Sequence, residues 1–239
     1  MSSVVLRLAL RRLLFRRRTV LLVLAGLLPT LVALLYRLET PPTQTGFEDV
    51  MGEIFLPYVL PFVALVIGAS AIGEERDDGT ILYLASTPLS RLAIVLPLLV
   101  AAAITTLVIC VPGFVGCLAL APGTDGFPTV AWGLAAIGAA TLSYTCLFGW
   151  LSLRAPRPVV IGMLYIVIWE GSITAFAPSA RWLSVQSYAR AAIAGGLPGG
   201  KTSLNAPDLA PILALCVLAA GTAVWLLLTA RRFNRVELP

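Results

Sequence analysis

Six stretches of this chain are continuously apolar over the length that a lipid bilayer demands, and that pattern removes most folds from consideration. A hydrocarbon core of about 30 Å takes about 20 apolar residues per α-helix. Runs of that kind lie at about residues 19 to 36, 54 to 73, 92 to 120, 130 to 153, 158 to 177 and 209 to 230. In lipid every backbone N–H and C=O must find its partner inside the protein, so only helices and closed barrels cross. Barrel strands alternate apolar and polar residues, whereas these runs are unbroken and rich in Leu, Ala and Val. The expected fold is all-α: a polytopic membrane protein with six transmembrane helices, forming a single transmembrane domain over residues 1–239. The third run contains Pro97 and Pro112 and is long enough to tilt or kink. A chain that is 59 % hydrophobic and 12 % charged agrees with this reading. The longest stretch between runs, about 30 residues, is too short to form a soluble core unaided.

Orientation follows from Lys and Arg in the connecting segments. With the N-terminus inside, thirteen of the seventeen basic residues fall on the inner side, leaving Arg37, Arg181, Arg190 and Lys201 outside. The expected protein is therefore a multi-pass protein of the cell membrane with both termini cytoplasmic. The segments at 37 to 52, 121 to 129 and 178 to 208 face outward on this reading. No cleavable signal peptide is expected, because the first apolar run follows a long basic stretch and lacks a small-residue cleavage site. The basic residues lack the interleaved aromatics of a stacking surface, so nucleic acid is not an expected partner. Cys110, Cys117, Cys146 and Cys216 all fall within apolar runs, which favours free core thiols over a disulfide framework.

Residues 1–18 set Val4, Val5, Leu8, Leu14 and Phe15 among Arg7, Arg11, Arg12 and Arg18 at helical spacing. This is the pattern of an amphipathic helix lying on membrane lipid at the inner leaflet. Arginines that only enforce orientation give the same pattern, and both readings stay open. The first outer segment, with Pro41, Pro42, Gly46, Glu39, Glu48 and Asp49, reads as polar and irregular. The extracytoplasmic segment 178 to 208 places Trp182, Leu183, Val185, Tyr188 and Ala189 at near-helical spacing, which predicts a short amphipathic helix at the outer interface.

Within that segment, Gly195 to Thr202 (G-G-L-P-G-G-K-T) satisfies the phosphate-loop pattern letter for letter. The pattern binds phosphate only where a buried strand feeds the loop and a helix leaves it. Arg190 to Ala194 makes a poor strand and Pro207 interrupts any following helix, so nucleotide binding is not expected here. With no His in the chain, Ser-His and Cys-His nucleophile pairs and zinc motifs of the H-E-x-x-H type are excluded. The chain is not expected to be an enzyme, and neither cofactor nor metal is expected on it.

Charge concentrates at one place. Glu74, Glu75, Asp77 and Asp78 lie within five residues, between the second and third apolar runs. The second helix can run on to about Asp78, where Gly79 breaks it. Thr80 can cap a short helix over Ile81 to Ser86, Thr87-Pro88 ends it, and Ser90 can cap the third span. A helix this short is unstable alone, and Ile81, Leu82, Leu84 and Ala85 leave an apolar face beside the carboxylates. It needs a partner to dock against. A solvated, charge-rich loop is the alternative.

The run Gly73 to Arg91, G-E-E-R-D-D-G-T-I-L-Y-L-A-S-T-P-L-S-R, resembles the segment between the second and third spans of ATP-binding-cassette permeases of the type-2 family. There E-E-R-x-x-G-T, a hydrophobic run and S-x-P-x-S-R recur. Trp169-Glu170-Gly171 and Arg181-Trp182-Leu183-Ser184 also resemble that family, and the resemblance extends over essentially the whole chain. It implies a transmembrane permease subunit of an exporter, paired with a second permease chain, identical or related. Two cytosolic ATPase subunits on separate chains would bind the ATP and Mg. Residues 74–91 would be the cytoplasmic coupling segment, its short helix seated in a cleft of the ATPase. Glu74, Glu75, Arg76, Gly79, Thr80, Ser86, Pro88, Ser90 and Arg91 match the family pattern, while Asp77 and Asp78 occupy its variable positions. A membrane scaffold or immunity subunit that recruits a cytosolic partner without transport is the competing reading.

Glu170 is the remaining residue that the sequence singles out. A carboxylate among Ile166, Val167, Ile168 and Trp169 is expensive in hydrocarbon and must face protein or water. It can line a substrate path, it can be structural, hydrogen-bonded to Ser or Thr of a neighbouring helix, or it can lie near the outer surface if the fifth span breaks at Gly171.

Overall fold

The computed structural model describes residues 2–14, 17–39, 44–77, 91–121, 126–197, 204 and 206–234. Among these residues every regular element is helical. The order is α1 (Ser2–Leu14), α2 (Arg17–Glu39), α3 (Gln44–Asp49), a π-helical segment (Val50–Val59), α4 (Leu60–Asp77), α5 (Arg91–Leu120) and α6 (Phe127–Arg154). Then follow α7 (Pro158–Leu164), a second π segment (Tyr165–Ile173), α8 (Thr174–Phe176), a 3-10 turn (Pro178–Leu183), α9 (Val185–Ala194) and α10 (Pro211–Asn234).

Five of these helices are long and apolar enough to cross a membrane: Arg18–Leu38, Gly46–Gly73, Val95–Leu120, Phe127–Arg154 and Pro211–Arg232. The stretch read as a fifth span is shorter. Pro158–Ile173 falls below the length of the others, about 24 Å at the α-helical rise, before α8 prolongs it. The second helix is longer than its apolar run, because α3 and the first π segment extend it on the N-terminal side to Gln44. Glu48 and Asp49, expected in an irregular loop, therefore lie on a helix, and Phe47, Val50 and Met51 beside them are buried. Their apolar side chains repeat at helical spacing, which the prolines and acids of the neighbouring sequence obscured.

Burial sorts the helices into a centre and a rim. The second span is 72 % buried within the chain, against 28 % for the first and 17 % for the last. The central helix packs on α5 and α6; α1 and α2 lie against α5, and α10 lies against α6. Met51, Phe55, Leu56 and Leu60 of the central helix meet Phe114, Tyr144 and Phe148 in one core. The α6–α10 pair runs parallel: Gly195 and Gly196 touch Pro211 and Pro128 at one end, and the Trp150 ring lies 5.3 Å from Trp225, tilted by 47°, towards the other.

The first and third spans cross at contact distance. A Cβ on Gly113 would run into the Gly26 carbonyl, and one on Gly116 into the Thr30 side chain. Close approach of this kind needs small residues on both helices. Thr30 Oγ1 donates to the Gly113 carbonyl at 3.0 Å across the seam. Pro29 and Pro112 sit beside it within unbroken helices.

α1 is tied to α2 by Thr19, whose hydroxyl donates to the Leu13 carbonyl at 2.6 Å and so satisfies one of the carbonyls left open at the helix end. Leu6, Ala9, Leu10 and Leu13 of α1 pack on the core while Arg7, Leu8, Arg11 and Arg12 point away from it. The helix is thus amphipathic with one face held by protein, but that face is not the expected one: Leu8 is exposed beside the arginines, and the side chains of Val4, Val5, Leu14 and Phe15 lie outside the described residues.

Candidate functional site

α4 carries the chain as far as Asp77, so the backbone of Glu74, Glu75, Arg76 and Asp77 is helical. The side chains of those four residues, all of residues 78–90 and the Arg91 side chain lie outside the described residues. The expected short helix over Ile81 to Ser86 lies outside them too. What the structure describes is the helix leading into this segment. From Gln44 to Asp77 it passes from α through π to α without a break, with its middle buried between α5 and α6.

Glu170 sits in the second π segment and is fully buried. Its carboxylate accepts three hydrogen bonds: from the Tyr165 hydroxyl at 2.9 Å, from the Val185 N–H at 3.2 Å and from the Ser184 hydroxyl. Ser184 is also the N-cap of α9, where its Oγ accepts from the Ser187 N–H at 3.3 Å. The carboxylate therefore stands at the start of α9, where the helix dipole and an open N–H favour negative charge. The buried Tyr144 hydroxyl lies near the same carboxylate but outside hydrogen-bonding geometry. Tyr144, Phe148 and Tyr165 form an aromatic wall beside it, with ring centroids 5.9 and 6.2 Å apart.

The Glu170 main chain is held as well. Its carbonyl accepts from Thr174 Oγ1 at 2.6 Å and from Gln186 Nε2, and Gln186 Nε2 also donates to Thr174 Oγ1 at 3.1 Å. One turn further along α9, Arg190 donates to the Gly52 carbonyl in the first π segment, to the Leu204 carbonyl at 3.4 Å and to Gln186 Oε1 at 3.3 Å. Burial pulls the Arg190 guanidinium below its ordinary value; Glu53 and then Glu170 oppose that shift. An arginine in such company stays cationic.

The carboxylate is buried and bonded to the Ser184 hydroxyl of the neighbouring element, the bonding that the structural reading of Glu170 expects. Glu170 stands out in the sequence and Gln186 and Arg190 do not, because an arginine in a connecting segment serves topology equally well. Their four-residue spacing, which puts both on one helical face, was the available signal. The outer helix also begins later than its periodicity predicts. Trp182 and Leu183 fall in the exposed 3-10 turn, and the helix starts at Val185 because Ser184 caps it.

The phosphate-loop look-alike is fed by a helix and not by a strand, since α9 runs straight into Gly195. Gly195 lies against the Pro211 ring, and Gly196 lies on the Pro128 and Thr129 backbone, with Thr129 Oγ1 donating to the Gly196 carbonyl at 2.7 Å. These glycines let α9 end against the starts of α6 and α10, and that role accounts for them. Lys201 lies outside the described residues. The four cysteines are free thiols, with Cys110, Cys117 and Cys146 buried and Cys216 exposed. Among the described residues no group of three or more Cys, Asp or Glu is placed to hold a metal ion.

No curated protein matches the chain. Residues 16–169 match the model of a family described as ABC-2 family transporter protein. The match begins at the first span, includes the charged segment at 73 to 91 and ends one residue before Glu170. Covering more than half of the chain, it joins the helical membrane architecture to the motif between the second and third spans, and on both grounds the chain belongs to the ABC-2 transporter family, as a permease.

Proposed function

We propose that this permease is the membrane-spanning half of an exporter in the cell membrane, in which two such halves are driven by two cytosolic ATPase chains. ATP and Mg are bound by those partners, and this chain carries no catalytic group of its own. Both termini and residues 74–91 face the cytoplasm, and the short helix over Ile81 to Ser86 seats in the ATPase.

The observation that carries this reading is the buried helix from Gln44 to Asp77. It runs from the Arg190 contact at Gly52 to the carboxylate cluster, so a push at Glu74 to Asp78 is delivered along a stiff rod to the outer half of the bundle. Such a rod suits domain tilting of the rigid-body type. The carboxylates offer a complementary surface to a basic cleft, and Ile81 and Leu84 offer it apolar contact. Gly79 breaks the helix, while Thr80, Ser86, Pro88, Ser90 and Arg91 set the ends of the docking helix and of the third span.

The test is co-purification of the ATPase with the permease, followed by ATP hydrolysis in liposomes. Replacing Glu74 and Glu75 together by Lys opposes like charges across the contact, and Leu84→Asp places an unpaired charge in the cleft. Both variants are expected to lose most of the bound ATPase. Full retention and full coupling in both variants would leave the segment a solvated loop. Retention of an ATPase whose hydrolysis is indifferent to the permease would favour the scaffold reading.

A further inference from the structure

The described residues contain two π-helical segments, Val50–Val59 in the second helix and Tyr165–Ile173 in the fifth, and α9 is bonded to both. Such segments are rare and, where they occur, are frequent at functional sites. Here they pack side by side, with a Cβ on Gly171 meeting the Tyr58 hydroxyl at 3.1 Å. Arg190 reaches the Gly52 carbonyl of one. Gln186, Ser184 and the start of α9 reach the carbonyl and carboxylate of Glu170 in the other. The Arg190–Gln186 bond at 3.3 Å closes the chain between them.

We propose that α9, with Arg190 at one end and Ser184 and Gln186 at the other, is a bracket that locks the outer halves of the second and fifth helices into one rigid body. Every link is buried or half-buried, where a hydrogen bond is stronger and a broken one leaves an unpaired polar group. A transporter that opens outward must either break all of these links together or move the bracketed helices as a unit. The network favours the unit, with the π segments held at fixed separation while the inner ends swing. Arg190, Gln186 and Ser184 are positioning residues on this view, and the role given to them rests on the permease function proposed above.

The inference is tested by spin-label distances in the permease–ATPase complex in lipid nanodiscs, with the four native cysteines replaced. One pair, Asp49→Cys and Phe176→Cys, spans the bracket at exposed outer positions. A second pair, Gly73→Cys and Val160→Cys, reports the inner ends. The bracket predicts a narrow outer distance that ATP does not change. It also predicts that Arg190→Ala broadens that distance and lengthens it by about 2 Å or more, the size of a helix displacement at an interface. An unchanged outer distance in Arg190→Ala, or an ATP-driven change of it in the unaltered protein, overturns the bracket. If Arg190→Ala does not insert, Gln186→Leu carries the same test, since it removes the Nε2 bonds to the Glu170 carbonyl and to Thr174 Oγ1 together with the Oε1 bond to Arg190, and leaves the arginine. A silent inner pair beside a narrow outer one defeats the transport reading and leaves the bracket standing.

Discussion

Where the first and third spans cross, Gly26 and Gly113 bring two backbones into contact with almost nothing polar between them. Where α9 meets the second and fifth helices, the contact is a buried carboxylate, an arginine and a glutamine bonded to main-chain and side-chain groups. Both solve the same problem. Lipid tails are as apolar as leucine, so hydrophobic burial does little to press one transmembrane helix onto another, and close packing or hydrogen bonds must supply the attraction. The glycine seam uses shape and admits no added atom. The α9 junction uses donors and acceptors, and it tolerates changes of shape better than the loss of a partner.

This contrast breaks most readily at the seam. In Gly113→Leu the new side chain would enter the Gly26 carbonyl, and backbone cannot turn aside as a flexible side chain can. The expected loss is about 3 kcal/mol of stability, read as a steep fall in monodisperse permease and in its resistance to denaturant in mixed micelles. Normal yield and resistance would mean that the two helices are not in contact.

The polar junction should yield less, and in a different way. Glu170→Ala leaves the Tyr165 and Ser184 hydroxyls and the Val185 N–H without their acceptor, an expected loss of about 2 kcal/mol. Glu170→Gln keeps the shape and most of the bonds and is expected to lose under about 1 kcal/mol. The same denaturant series measures both. Equal losses for Ala and Gln would show that charge, and not hydrogen bonding, holds α9 in place. Normal stability of the Gln variant with altered transport would return Glu170 to the substrate path.

The smallest effect is expected where the two devices meet. Thr30→Val keeps the volume at the glycine seam and removes the single 3.0 Å bond to Gly113, worth about 0.6 kcal/mol in a membrane interior. A loss larger than that of Glu170→Ala would mean that hydrogen bonding, not close approach, holds the first and third spans together.

Five of the six expected spans were legible among the described residues because apolar length is a direct physical requirement of lipid. Glu170 was legible for the same reason, as the exception that hydrocarbon makes costly. Its partners were not, because Arg190 and Gln186 lie in a segment whose charges serve topology equally well. Gly26 and Gly113 were invisible as a pair, since nothing in either helix states which face meets the other. The N-terminal extension of the second helix to Gln44 was hidden by Glu48 and Asp49, whose acidity reads as loop until Phe47, Val50 and Met51 are seen buried beside them.

The function proposed stands on one placement: residues 74–91 must face the compartment that supplies ATP. In a background with the native cysteines replaced, a thiol at Asp78 and another at Asn205 can be challenged in intact cells with a reagent that does not cross the membrane. The arginine and lysine bias predicts labelling of Asn205→Cys and protection of Asp78→Cys until the membrane is opened. Labelling of Asp78→Cys in sealed cells, with Asn205→Cys protected, would put the carboxylate cluster on the wrong side for any cytosolic ATPase and contradict the account.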